Sequence, residues 1–253
     1  MAAAASAGSA AIDAGRFWAP APPRLPSYGD PAYWLARYAE RGEEVYDWYM
    51  PELGGHVAPL VTPESQILIL GCGTSALCEQ LYAQGFVNVT CIDRCAPLIE
   101  ALREKHKDKE ATVSFQAAEA ERLPDDWAGR FDLVLDKALL DSVACGEQKW
   151  ARMDEVLQSV SKVLKPSGGT YLCVSHAGVE TRRPMLHAHG KYGWDVECRT
   201  VPRGVTATAS GDKPPSRGAK PPDPQAGAKL TASAAYDPSA DVYHIYVCSL
   251  PAA

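Results

Sequence analysis

The chain has 253 residues, 46% of them hydrophobic and 22% charged, with a net charge of −6. That length can bury one sizeable α/β core, and an acidic balance without clustered Lys and Arg argues against a nucleic-acid partner. The longest apolar runs fall well short of the ~20 residues a membrane span needs, so no membrane partner is expected either.

Residues 1–27 are rich in Ala, Ser and Pro without apolar periodicity and read as a disordered arm. Arg16 and Arg24 against one acid, Asp13, keep a transit peptide open, which would make the protein organellar instead of cytoplasmic. Residues 28–253 read as a single domain. Asp30-Pro31 predicts a helix N-cap followed by Pro at the first helical position, opening a helix over 32–38. A second short helical piece is expected at 43–49, and an amphipathic stretch at 54–61.

A strand-helix alternation follows. Strands are predicted at 66–70, 88–92, 112–116, 131–136 and 170–175, with helices at 75–84, 96–107 and 148–164. Two more alternating stretches, 194–201 and 241–250, read as an antiparallel pair. The Pro-, Gly- and Lys-rich segment 203–239 between them reads as a mobile insertion. The fold class is therefore α/β: a seven-stranded, mostly parallel Rossmann-like sheet with an antiparallel last strand and helices on both faces.

Eight cysteines (Cys72, Cys78, Cys91, Cys95, Cys145, Cys173, Cys198 and Cys248) form no Cys-x-x-Cys pair. Several lie in apolar runs, as reduced buried thiols of an intracellular protein do. His187-x-His189 has no Cys or acid at zinc-like spacing, so no metal is expected.

The chemistry concentrates where the first strand runs into Gly71-Cys72-Gly73-Thr74-Ser75. The second strand ends on Asp93, about 20 residues later, the spacing of a nucleotide-binding half-site. Gly71 and Gly73 remove Cβ where a ligand would pass. Thr74 and Ser75 can donate hydrogen bonds near a helix N-terminus. The third glycine of a dinucleotide fingerprint is Ala76, an accepted variant, so NAD is not excluded on that ground. Asp93 can accept from both ribose hydroxyls, or cap the helix at Ala96-Pro97. Glu119-Ala120 can meet the amino group and ring edge of adenine, or Glu119 can be a solvated acid. Asp136, at the tip of the fourth strand, is the candidate for orienting an attacking group. Asp141 shares that role or caps a helix.

Five crossover-linked strands before an antiparallel pair resemble class I S-adenosylmethionine (AdoMet) methyltransferases. Leu70-Gly71-Cys72-Gly73-Thr74-Ser75-Ala76-Leu77, Leu135-Asp136-Lys137-Ala138-Leu139-Leu140-Asp141 and Tyr192-Gly193-Trp194 resemble the methyltransferase-like protein-lysine methyltransferases. Those include enzymes acting on elongation factor 1-alpha and on citrate synthase. Tyr33-Trp34-Leu35-Ala36-Arg37-Tyr38 and Tyr46-Asp47-Trp48 are similar to the elongation-factor type. The resemblance implies AdoMet as cofactor and a lysine-bearing protein as substrate. It implies that Trp34, Tyr38 and Trp48 close over the cofactor beside Gly71, Gly73, Asp93, Arg94, Glu119, Ala120 and Lys137. An aromatic helix simply packed on the core is the alternative for the first three. Where the family has Asp-Lys-Gly-Thr, this chain has Asp136-Lys137-Ala138-Leu139, so the acceptor is less defined than the cofactor. A small-molecule methyltransferase and a catalytically weakened scaffold stay open, as does the oligomeric state.

Overall fold

A computed structural model describes residues 27–42, 44–203 and 242–252. The expected arm at 1–27 and insertion at 203–239 lie almost wholly outside these residues. In chain order the elements are α1 (Pro31–Arg41), α2 (Gly54–Val57), β1 (Ile67–Leu70), α3 (Leu77–Ala83), β2 (Val89–Asp93), α4 (Ala96–Lys105) and β3 (Val113–Ala117). Then come β4 (Leu133–Lys137), α5 (Leu139–Ala144), α6 (Lys149–Val163), β5 (Thr170–Ser175), α7 (Val179–His187), β6 (Asp195–Pro202) and β7 (Val242–Ser249).

Among the described residues seven strands join one sheet in the order β3-β2-β1-β4-β5-β7-β6. Pairing is parallel from β3 across to β5, while β7 runs antiparallel to both β5 and β6. The predicted fold class is thus observed, the last strand being the one that reverses. β1 is buried along its whole length, and its side chains alternate between two cores. Ile67 and Ile69 pack with Leu77, Leu81, Leu98 and Ile99 of α3 and α4. Leu68 and Leu70 pack with Leu140, Val156, Leu157 and Val160 of α5 and α6. This period-2 partition explains why the strands read as continuous apolar runs: both faces are covered. Each such fully buried Leu or Ile stabilises the fold by about 1.5–3 kcal/mol relative to exposure.

α1 begins as expected: Asp30 caps it by accepting from the Ala32 N–H at 2.9 Å, with Pro31 in the first turn. One expectation fails. Among residues 44–50 there is no helix. Tyr46 N–H donates instead to the Thr74 carbonyl at 3.3 Å, and Asp47 is drawn to three partners on other elements, so tertiary anchors override the local helical preference. Two helices go beyond the sequence expectations: α5 is only six residues long, and Pro184 interrupts the helical signal of α7.

Candidate active site

β1 delivers the chain into Gly71 (φ 56°) and Gly73 (φ 51°), both in the left-handed region where side chains are strained. A Cβ at Gly73 would stand 2.9 Å from the Tyr38 Oη, and one at Gly71 would stand 2.9 Å from Leu139 Cδ1. The turn is locked to β2: Gly73 N–H donates to Asp93 Oδ2 at 3.1 Å, and Cys95 N–H donates to Oδ1 at 3.0 Å. Burial raises the Asp93 carboxyl above its usual range, an effect opposed by those backbone donors and by Arg94. Each carboxylate oxygen keeps a second lone pair, so the side chain can hold the turn and still accept from a ribose diol. Burial, and then the charge of Asp93, pushes the Tyr38 phenol far above its ordinary value.

Segment 44–50 crosses over this turn and is clasped by one residue the sequence reading left without a role. Asp47 accepts from Ser75 Oγ at 2.5 Å and from Ala76 N–H at 3.4 Å, and forms an ion pair with Lys137. Lys137, 8% exposed, also donates to the Met50 carbonyl at 3.3 Å. Burial lowers the Lys137 ammonium and Asp47 partly restores it. Lys137 therefore fastens the segment instead of projecting into open space. The sequence carried a signal for this, an acid between two aromatics in Tyr46-Asp47-Trp48.

The aromatics gather around the same turn. Trp34 donates Nε1–H to the Tyr28 carbonyl at 2.7 Å. Its ring lies 6.0 Å from that of Tyr38 and 6.1 Å from that of Trp48, centroid to centroid. Arg94 is engaged elsewhere: both Glu121 carboxylate oxygens accept from it at 3.1 Å, beside Arg152. Glu119 is exposed and its carboxylate has no hydrogen bond among the described residues, while Ala120 is buried beside it.

Asp136 differs most from expectation. Its side chain is fully buried and caps α5, accepting from the Leu139 N–H at 2.7 Å and the Leu140 N–H at 3.1 Å. Tyr171 Oη donates to it at 2.8 Å. Burial raises its pKa to about 6. A carboxyl so enclosed positions α5, which presses Leu139 against Gly71; it does not face an incoming amine.

Asp141, also buried, gathers a larger set of polar partners. It pairs with the buried guanidinium of Arg182 and accepts from Ser175 Oγ at 2.6 Å, His176 N–H at 3.0 Å and Tyr49 Oη at 2.8 Å. His176 Nδ1 lies 2.9 Å from Asp141 Oδ2 and 2.9 Å from Tyr49 Oη. Burial alone would raise the Asp141 carboxyl, but Arg182 and then His176 hold it far below the usual range. The His176 side chain is 35% exposed. Tyr49, itself at a positive φ of 61°, stacks 4.9 Å from Tyr243. None of Tyr49, Ser175, His176 or Arg182 carried a recognisable motif.

Glycine turn, second-strand acid and the β4–β5 tips all lie at the carboxyl ends of the strands, where the order turns from β1 to β4. Ligands of open α/β sheets bind at such switch points. A seven-stranded sheet of this order with this turn defines the Rossmann-like methyltransferase class. Residues 62–207 match the family model described as "Methyltransferase domain". The mouse EEF1A lysine methyltransferase 4 is 31% identical over 198 residues, covering 72% of this chain and 76% of that protein. The Xenopus laevis eEF1A lysine and N-terminal methyltransferase is 30% identical over 191 residues, 74% of this chain, but the match spans only 27% of that longer protein. The chain belongs to the methyltransferase-domain family, in the branch that holds these eEF1A lysine methyltransferases. Among solved structures, an AdoMet-dependent methyltransferase of Methanosarcina mazei superposes with a TM-score of 0.52 at 14% identity, covering 82% of this chain and all of that one. The [4+2]-cyclase SpnF superposes at 0.56 and 14% identity, covering 88% and 94%. A cyclase among the neighbours shows that the fold by itself does not specify the reaction.

Proposed function

We propose that this chain is an AdoMet-dependent protein-lysine methyltransferase acting on an elongation factor 1-alpha-like acceptor. The observation that carries the cofactor half is the glycine turn bonded to Asp93 at the switch point of the sheet. The acceptor half rests on 31% identity to a lysine methyltransferase matched over three quarters of its length.

When bound, AdoMet supplies an electrophilic methyl group on a sulfonium. Gly71 and Gly73 leave room for the methionine portion, Asp93 accepts from the ribose hydroxyls, and Glu119 with the Ala120 N–H takes the adenine edge. The Trp34–Tyr38–Trp48 cluster, held down through Asp47 and Lys137, excludes water. A lysine amine must be neutral to attack, and deprotonating it at pH 7 costs about 4–5 kcal/mol. In this reading His176 takes that proton. With Nδ1–H assigned toward ionised Asp141, the free lone pair belongs to Nε2 of a side chain that is 35% exposed. Asp136 acts from behind, by fixing α5. Proximity within this constellation supplies the rest of the acceleration.

Calorimetry and methyl transfer test the reading together. The unaltered chain is expected to bind AdoMet, with affinity falling at least about tenfold in Asp93→Asn and further in Asp93→Ala as charge-assisted hydrogen bonds are lost. Radiolabelled methyl is expected in a protein band of a cell lysate and in purified elongation factor 1-alpha. Label confined to the small-molecule fraction would replace the acceptor assignment, and an absence of AdoMet binding would overturn the whole reading. Among the described residues no helix is long and apolar enough to cross a membrane.

A further inference from the structure

A second cluster lies outside this site, on the α3–α4 side of the sheet. Cys78 Sγ, a Glu79 carboxylate oxygen and a ring nitrogen of His106 all lie within 4.8 Å of one another. Cys78 and Glu79 stand at the start of α3; His106 is the residue that ends α4. The thiol lies 2.9 Å from Glu79 Oε2, and Nε2 lies 3.1 Å from Glu79 Oε1. His106 is only 5% exposed, and its buried Nε2 has no hydrogen-bond partner despite the nearby Glu79 carboxylate. The ring is fixed by stacking on Phe115 at 5.3 Å. An unpaired ring nitrogen in the interior carries a desolvation penalty of about 1–3 kcal/mol unless something meets it.

We propose that Cys78, Glu79 and His106 form a three-ligand site for a thiophilic divalent cation, with zinc the match. Thiolate, imidazole and carboxylate are zinc's ligand types, whereas Mg²⁺ and Ca²⁺ take oxygen alone. Bond lengths of about 2.0–2.3 Å place tetrahedral ligand atoms roughly 3.3–3.7 Å apart, and the three atoms here lie within 4.8 Å of one another, so side-chain rotation alone can bring them to that spacing. On binding, a zinc–sulfur bond replaces the Cys78 S–H bond and the proton leaves to solvent. Lys105, whose Nζ lies 3.5 Å from Glu79 Oε1, is the competing cation and can swing outward, being partly exposed. Glu79 is 32% exposed, so water can complete the coordination. The ion ties the start of α3 to the end of α4, the two helices that follow the Gly73 and Asp93 turns. The site is independent of the methyltransferase reading.

The test uses the full chain, reduced and stripped with a chelator. Zinc is titrated against a chromophoric chelator, and Cd²⁺ is followed by its thiolate charge-transfer absorption. One equivalent is expected to bind and to raise the melting temperature. Glu79→Gln and His106→Gln are expected to weaken zinc by at least about tenfold, and Cys78→Ser to remove the Cd²⁺ band. Lys105→Ala should tighten binding, and Cys248→Ser, on β7, should leave it unchanged. No bound equivalent in the unaltered chain overturns the proposal. So does a Cd²⁺ band that survives Cys78→Ser but is lost on replacing Cys91, the buried thiol beside Cys78.

Discussion

His176 and Ala138 show how single residues depart from what their neighbours in sequence suggest. His176 is an ordinary histidine until β5 brings its ring to Asp141, at 2.9 Å. If it takes the proton of the acceptor lysine, His176→Gln should lower kcat at neutral pH by about 10²-fold or more. The deficit should narrow as pH rises toward about 10, where lysine loses its proton unaided, with AdoMet affinity unchanged throughout. A pH-independent deficit would leave His176 a positioning residue only. Ala138 stands at φ 76°, in the left-handed region, at the place where the family carries Gly. The departure seen in the motif is therefore a backbone matter. Ala138→Gly should relieve the strain, less the extra entropy of Gly in the unfolded chain, for a net gain of about 0.5–1 kcal/mol. Thermal denaturation should show a rise of roughly 1–3 °C; no rise would mean that the surrounding packing holds this conformation without strain.

At the scale of elements, segment 44–50 behaves as a strap whose position depends on one buried ion pair. The Asp47 and Lys137 side chains are 12% and 5% exposed, so removing one partner strands the other in a poorly solvated place. Asp47→Ala should destabilise the protein by about 3 kcal/mol, expose the strap to proteolysis and weaken AdoMet binding. Asp47→Ala combined with Lys137→Met should recover much of the stability in denaturant melts but not the affinity. Recovery of both would show that the strap does not help retain the cofactor. The strap also explains why a local helical reading of 43–49 fails: its hydrogen bonds go to the Thr74 carbonyl and the Ser75 hydroxyl, which no local pattern encodes. α6, by contrast, forms nearly where its periodicity predicts, with Met153, Val156, Leu157, Val160 and Val163 on the buried face. Its stability comes from that one stripe.

For the molecule as a whole, local patterns and long-range contacts set different features. The sequence by itself determined the sheet, the two-sided helical cover and the Gly73–Asp93 half-site. Strand and helix periods are local, and the half-site closes over a separation of twenty residues within one strand-helix-strand unit. The antiparallel end was legible for the same reason, two alternating stretches after the last crossover. Only the tertiary structure decided where the charged groups go. Asp47 meets Lys137 across 90 residues, and Asp141 meets His176 and Arg182 across 35 and 41. The same folding enclosed Asp136 as a helix cap and brought His106 to Cys78 and Glu79. A polar side chain selects its partner by burial and distance in the folded chain, where an unmatched group costs about 1–3 kcal/mol. Spacing along the chain does not carry that information.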